Sequence, residues 1–391
     1  MSKLANESEE KINAIGIVDN IFNKAIEEGA SDIHIEPLKN GMIIRYRIDG
    51  LLKEVFEGDK NLYSFIMARV KILAQLDTTG MPHPQEGNIK IKHQENDVDL
   101  RISVFPTSLG EATVIRILES DRFFGDFYEL GFTKEQVEVL DGIIKKPNGL
   151  VLVTGPTGSG KSTTLLTILN KLNTPERSLV TLEDPVERKI EKIRQTAIDP
   201  EIGLSFASGL KYLLRQDPDI IMVGEIRDRE TAKIAVRAAV TGHLVLSTIH
   251  TNNAAGAIVR LINMGIEPFL LASSLKFISA QRLARMNCPT CKNEYIPSDK
   301  LKNILKAPKN TKFYHSVGCD KCSQRGVRGR KGMHEILAIS KGIQELILTR
   351  PSGAQINDLA IEEGMLNLRQ AALQKVYDGT ISIEEALRLT E

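Results

Sequence analysis

Apolar and polar positions change their period along the 391-residue chain, and the changes divide it. Residues 11–28 repeat apolar side chains at helical spacing (Ile12, Ile15, Val18, Phe22, Ile26) and stop at Gly29, which predicts a helix. A short strand follows. Residues 42–56 then alternate on either side of Asp49-Gly50, with Ile44, Tyr46 and Ile48 on one face and Arg45 and Arg47 on the other, the pattern of a hairpin. A helical stretch from Leu62 to Leu76 and alternating runs at Ile89–Ile91, Val98–Val104 and Thr113–Leu118 complete a smaller α+β domain over residues 1–120.

Residues 121–130 keep neither period and are read as a linker, aromatic and therefore sticky. The domain expected over 131–391 turns to helix, strand, helix, strand, with continuous apolar runs at Leu150–Val153, Leu179–Leu182, Ile220–Val223 and Leu244–Leu246. Such runs predict an α/β fold with a mostly parallel sheet. Beyond about residue 265 strand signals fade, and a mainly helical C-terminal region is expected to Glu391, interrupted by the cysteines.

The run Leu150–Val153 leads straight into Gly155-Pro156-Thr157-Gly158-Ser159-Gly160-Lys161-Ser162, followed by Thr163 and a helical pattern (Leu165, Leu166, Leu169, Leu172). A glycine-rich turn between a buried strand and a helix aims main-chain N–H groups into one concavity, where the helix dipole also favours anions. Lys161 then reaches the β and γ phosphates of ATP, and the Ser162 hydroxyl is a hard oxygen ligand for Mg²⁺. Ligands of a parallel sheet gather at the carboxyl ends of its strands, so the polar residues there carry weight. They are Glu183 after Leu182, Glu225 after Val223, and His243 and His250 bracketing Leu244–Leu246; all are expected to face the glycine turn. A carboxylate holds an attacking water or the waters of Mg²⁺, so Glu183 and Glu225 point to hydrolysis. For the histidines two readings stand, a sensor of the γ-phosphate and a satisfied structural donor.

Charge narrows the partners. Lys and Arg total 51 against 50 for Asp and Glu, so net charge offers no general attraction to nucleic acid, and direct nucleic-acid binding is not expected. No apolar segment is long enough to span a bilayer and the polar start lacks a secretory apolar core, so a cytoplasmic protein, peripheral to a membrane at most, is expected. All four cysteines fall in two knuckles, Cys288-Pro289-Thr290-Cys291 and Cys319-Asp320-Lys321-Cys322. Four thiolates so spaced suit a closed tetrahedral Zn²⁺ site, structural because no position is left for water; free or transiently oxidised thiols are the competing reading.

Together these motifs resemble the hexameric motor ATPases of type II secretion and type IV pilus assembly. Thr181-Leu182-Glu183-Asp184-Pro185-Val186-Glu187 is similar to the family's Asp box, Arg215-Gln216-Asp217-Pro218-Asp219 through Gly224-Glu225-Ile226-Arg227-Asp228 to its Walker B segment, and Thr241-Gly242-His243 through His250-Thr251-Asn252 to its His box. The tetracysteine motif (288–322) matches the assembly and secretion branch. The resemblance implies a RecA-like P-loop core behind a PAS-like domain and a homo-hexamer. It also implies ATP-driven motion of an inner-membrane platform protein that polymerises pilin-like subunits. By position Arg101 and Arg116 look like the arginines that close over the phosphates, against the plainer reading of strand-face arginines, and Arg215 and Arg227 look like arginines lining the site. The larger N-terminal module that many relatives use for docking is not in this chain, so recruitment is expected to differ unless the chain is shortened.

Overall fold

The computed structural model of the protein describes residues 16–118, 125–298, 301 and 311–390. Ile12, Ile15, residues 121–124 of the expected linker and Glu391 lie outside the described residues. The chain divides between residues 123 and 124 into two compact units.

In the first unit a helix over 16–27 buries Val18 and Phe22 against an antiparallel sheet of β1 (Asp32–Leu38), β2 (Gly41–Ile48), β3 (Leu51–Asp59), β4 (Gln85–His93), β5 (Asn96–Thr107) and β6 (Gly110–Leu118). The strand order is β3-β2-β1-β6-β5-β4. The predicted hairpin is β2–β3. Asp49 and Gly50 take φ of 52° and 82°, as a two-residue turn matched to strand twist requires. Ile44, Tyr46 and Ile48 are buried, and the Tyr46 hydroxyl donates to the Ile21 carbonyl at 2.7 Å.

The second unit carries a seven-stranded sheet in the order β15-β12-β7-β11-β10-β8-β9. Its strands are β7 (Gly149–Thr154), β8 (Leu179–Glu183), β9 (Arg194–Ala197), β10 (Ile220–Val223), β11 (Leu244–Ile249), β12 (Leu275–Asn287) and β15 (Val327–Ala338); β13 (Lys292–Tyr295) pairs with β14 (Phe313–Ser316) apart from it. All neighbours are parallel except β12 and β15. Both faces are covered, which is why the strands read as unbroken apolar runs. Leu150 and Leu152 pack toward helices Arg229–Val240 and Ala254–Asn263, while Val151 and Val153 pack toward helices Lys134–Ile144 and Lys161–Leu172.

The expectation that strands end near residue 265 is corrected here. β12 and β15 are the longest strands of this sheet, and β12 lies directly beside β7. From Lys341 onward the chain is helical as expected, in helices Lys341–Leu348, Gly353–Glu362, Leu368–Tyr377 and Ile383–Thr390.

Candidate active site

The register of the parallel strands decides which polar residues share an edge. Leu152, Ser247, Val223 and Leu182 form one row across β7, β11, β10 and β8, so the glycine turn, His250, Glu225 and Glu183 all emerge at the same carboxyl edge. At about 4.8 Å per strand, β11 lies about 5 Å from β7, β10 about 10 Å and β8 about 14 Å. His250 and Glu225 therefore stand nearer the turn than Glu183.

The turn is shaped for an anion. Gly155 takes φ 146°, and a Cβ there would fall 2.4 Å from the Gln281 carbonyl oxygen and 2.6 Å from Ser159 Oγ, so no other residue fits without displacing the backbone. Helix Lys161–Leu172 starts at Gly160 with no side-chain cap, whereas helices beginning after Thr133, Ser205, Asp228 and Asn253 are capped by those side chains. Its first N–H groups are left for a ligand. Ser159 Oγ is buried with no partner, and Thr157, Gly158 and Ser162 are exposed around it; Thr163 is half-buried. Lys161 Nζ donates to the Gly155 and Pro156 carbonyls, each at 3.0 Å. Burial lowers its pKa, opposed by Glu225 and reinforced by Arg282. These orphaned donors fit a phosphate chain, and the Ser162 hydroxyl is free for its metal ion.

Glu225 is held between Arg227 and His250. Arg227 lies 2.5 Å from one of its oxygens and His250 Nε2 3.4 Å from the other. The hydrogen bond that Arg227 donates to Glu225 raises the Arg227 pKa. Thr248 Oγ1 donates to the Gly224 carbonyl at 2.7 Å and Ile226 N to the Thr248 carbonyl at 2.9 Å, which fixes the loop after β10 against β11. Glu183 is more enclosed. Thr181 Oγ1 and Gln195 Nε2 donate to its Oε1 at 2.6 and 2.9 Å, and burial pushes its pKa up against those two bonds.

Two expected members are elsewhere. His243 precedes β11, at the opposite edge of the sheet and a strand length of roughly 17 Å from the turn, with Nδ1 3.1 Å from the Ala238 carbonyl at a helix end. It does not face the glycine turn. Arg215 lies exposed in the connection ahead of β10, at that same far edge. Arg227, by contrast, joins Glu225 and faces Asp184 at 3.9 Å.

In the first unit Arg101 and Arg116 are directly opposite each other on β5 and β6, in a row that continues to Asp32 and Arg47. Asp32 accepts from Arg116 Nε at 3.0 Å, and Glu86 lies 3.5 Å from Arg101. Like charges facing each other across a ladder are unfavourable and are relieved by an anion.

The four cysteine sulfurs lie within 4.8 Å of one another. The pairs Cys288–Cys319, Cys291–Cys322 and Cys319–Cys322, at 3.7–3.9 Å, match the edge of a tetrahedron with metal–sulfur bonds of about 2.3 Å. Main-chain N–H groups of Cys319 and Gly326 donate to Cys322 Sγ at 3.2 and 3.3 Å, as they do around bound thiolates. The donor set fits zinc.

Gln281 and Arg282, on β12 beside the turn, went unread in the sequence. The signal was a polar pair breaking an apolar run, the same mark that singled out Glu183 and Glu225, but it needs β12 to be recognised as a strand.

Residues 7–388 match the family model described as type II/IV secretion system protein. The type II secretion system ATPase E of Vibrio cholerae serotype O1 is 45% identical over 387 residues, covering 98% of this chain and 77% of that protein. The type IV pilus assembly ATPase PilB of Myxococcus xanthus is 43% identical over 400 residues, covering 99% and 69%. Among solved structures, the pilus retraction motor PilT with bound ADP superposes with a TM-score of 0.62 at 26% identity, covering 94% of this chain and 95% of PilT. The fold is also that of the Legionella pneumophila ATPase DotB, with a TM-score of 0.70 at 19% identity over 96% and 95% of the two chains.

Proposed function

The chain belongs to the type II/IV secretion system protein family, and on that premise we propose how its residues run an ATP-hydrolysing motor of protein secretion or pilus assembly. The observation that carries the reading is the pairing of an uncapped, lysine-bearing glycine turn with a carboxylate, Glu225, on the same sheet edge.

Lys161 leaves the Gly155 and Pro156 carbonyls for the β and γ phosphates, and the N–H groups from Gly158 to Thr163 close around them. Bound beside Ser162, Mg²⁺ supplies charge neutralisation at the phosphate oxygens. Glu225 orients the attacking water and accepts its proton, while Arg227 and His250 fix the carboxylate's direction. Glu183, kept protonatable by burial, serves the water layer beyond it. Arg101 and Arg116 are the cations that complete charge neutralisation as phosphate transfer begins. His243 and Arg215 are left out of this chain's own hydrolytic set.

The motor is a homo-hexamer in the cytoplasm, peripheral to the inner membrane and acting on a platform protein there. Cys288, Cys291, Cys319 and Cys322 hold one structural Zn²⁺. The test is turnover of Mg-ATP by the purified protein. Glu225→Gln is expected to lower kcat by roughly 10² or more while ATP still binds, and Lys161→Ala to weaken binding itself. Unchanged turnover in both variants removes the assignment.

A further inference from the structure

β12 holds the glycine turn from beneath. The buried Gln281 donates from Nε2 to the Ser159 carbonyl at 2.7 Å and accepts at Oε1 from Thr164 Oγ1 at 3.0 Å. Arg282, the next residue, reaches further. Its two terminal nitrogens donate to the Gln281 carbonyl at 3.1 Å and to the Asn252 carbonyl at 2.9 Å. β12 and β11 flank β7 on opposite sides, and Asn252 lies in the loop after β11. A side chain that starts on β12 and ends on that loop has to cross the carboxyl end of β7, where the turn begins. Asn252 is two residues past His250, whose ring faces Glu225, so the crossing is on the hydrolytic side of the turn.

The guanidinium is poorly matched as it stands. Both contacts are main-chain carbonyls, and a guanidinium has five N–H donors. Glu335, whose charge acts on Arg282, is spoken for: its carboxylate accepts from Ala254 N at 2.7 Å and Leu368 N at 3.2 Å. Burial lowers the Arg282 pKa, with Glu335 acting in the opposite sense, and Arg282 in turn depresses Lys161. Two half-buried cations side by side repel until an anion comes between them. A strap that only ties Asn252 to β12 accounts for one hydrogen bond and needs no charge.

We infer that Arg282 is a second phosphate ligand of the glycine turn, supplied by the same chain and contacting the terminal phosphate of a nucleoside triphosphate from the His250 side. The inference rests on the reading of this turn as the ATP site. A cation on that side meets the γ-phosphate, which ADP lacks, so the residue separates triphosphate from diphosphate.

Isothermal titration of the full 391-residue chain with Mg²⁺ and either a non-hydrolysable ATP analogue or ADP tests it, using Arg282→Gln and Arg282→Lys. Arg282→Gln is expected to weaken the analogue about tenfold or more and ADP by less than about threefold, with the thermal midpoint unchanged, and Arg282→Lys to restore part of the loss. Equal losses for the two nucleotides, or no loss for either, overturn the inference. A wild-type protein that binds neither nucleotide overturns the underlying ATP-site reading instead, so the two failures are distinguishable.

Discussion

Acid should loosen the second unit through one histidine, at a pH where most carboxylates are still ionised. His334 lies on β15, only 2% exposed, with its ring stacked on Phe132 at a centroid distance of 3.7 Å. Nε2 is 3.1 Å from the Leu130 carbonyl, which can only accept, so Nε2 carries the proton and Nδ1 faces the Ser279 hydroxyl at 3.4 Å. Burial holds the pKa down at about 3; the Leu130 contact opposes this and Lys375 adds to it. In the unfolded chain the ring titrates near 6.5, so that state takes up a proton the folded protein refuses. Stability is unaffected above about pH 6.5, falls as pH drops through the window to about 3, and levels off below it. At 1.36 kcal/mol per unit the loss is roughly 2 kcal/mol at pH 5 and about 4–5 kcal/mol at pH 3. The assay is urea unfolding of the full chain at pH 8 and pH 5, read from amide protection of residues 125–145, which dock on His334 through Phe132, stacked on its ring, and Gln136, whose amide donates to its main-chain carbonyl. His334→Gln removes the titration and loses stacking, so it starts less stable at pH 8. The gap to wild type should then narrow by roughly 2 kcal/mol at pH 5. Thiolates and carboxylates titrate in both proteins and drop out of the difference. Parallel pH profiles for the two would refute the reasoning.

Gly155→Ala should abolish nucleotide binding without unfolding the sheet, because its Cβ meets the Gln281 carbonyl at 2.4 Å and pushes the turn away from β12; wild-type affinity by titration calorimetry would contradict this. For the cysteines, metal analysis should return about one zinc per chain. Chelation should first raise hydrogen exchange around Asn287 and Val327, the last pair of β12 and β15 before the cysteine segment. A purified protein without zinc, or one whose exchange ignores the chelator, removes that assignment.

What the sequence disclosed and what it hid have separate physical causes. The strands β7, β8, β10 and β11 were legible because a strand buried on both faces, as each is here, must be apolar throughout. The glycine turn was legible in its own motif after a buried strand, and the edge that Glu183 and Glu225 share with it followed from the rule that ligands collect at carboxyl ends. That rule needs the direction of each strand, and for His243 it was applied to the wrong end: a residue before a parallel strand lies across the sheet from one after it. β12 was hidden by its own composition. Leu275-Lys276-Phe277-Ile278-Ser279-Ala280-Gln281-Arg282-Leu283-Ala284-Arg285-Met286 is rich in Leu, Ala, Gln, Arg, Lys and Met, all strong helix formers, so local propensity argues against the strand. Its pairing with β7 and β15 overrides that preference. The partner β15 lies beyond the whole cysteine segment, with Arg330, Lys331 and two glycines in its first half, so neither strand announces the other. The four cysteines gather at the far end of this pairing, where Asn287 meets Val327, and Gln281 holds the glycine turn midway along it. A metal bound there would shorten the loop that must close before β12 and β15 can align, and so would bear on the register that sets Gln281 and Arg282 beside the glycine turn.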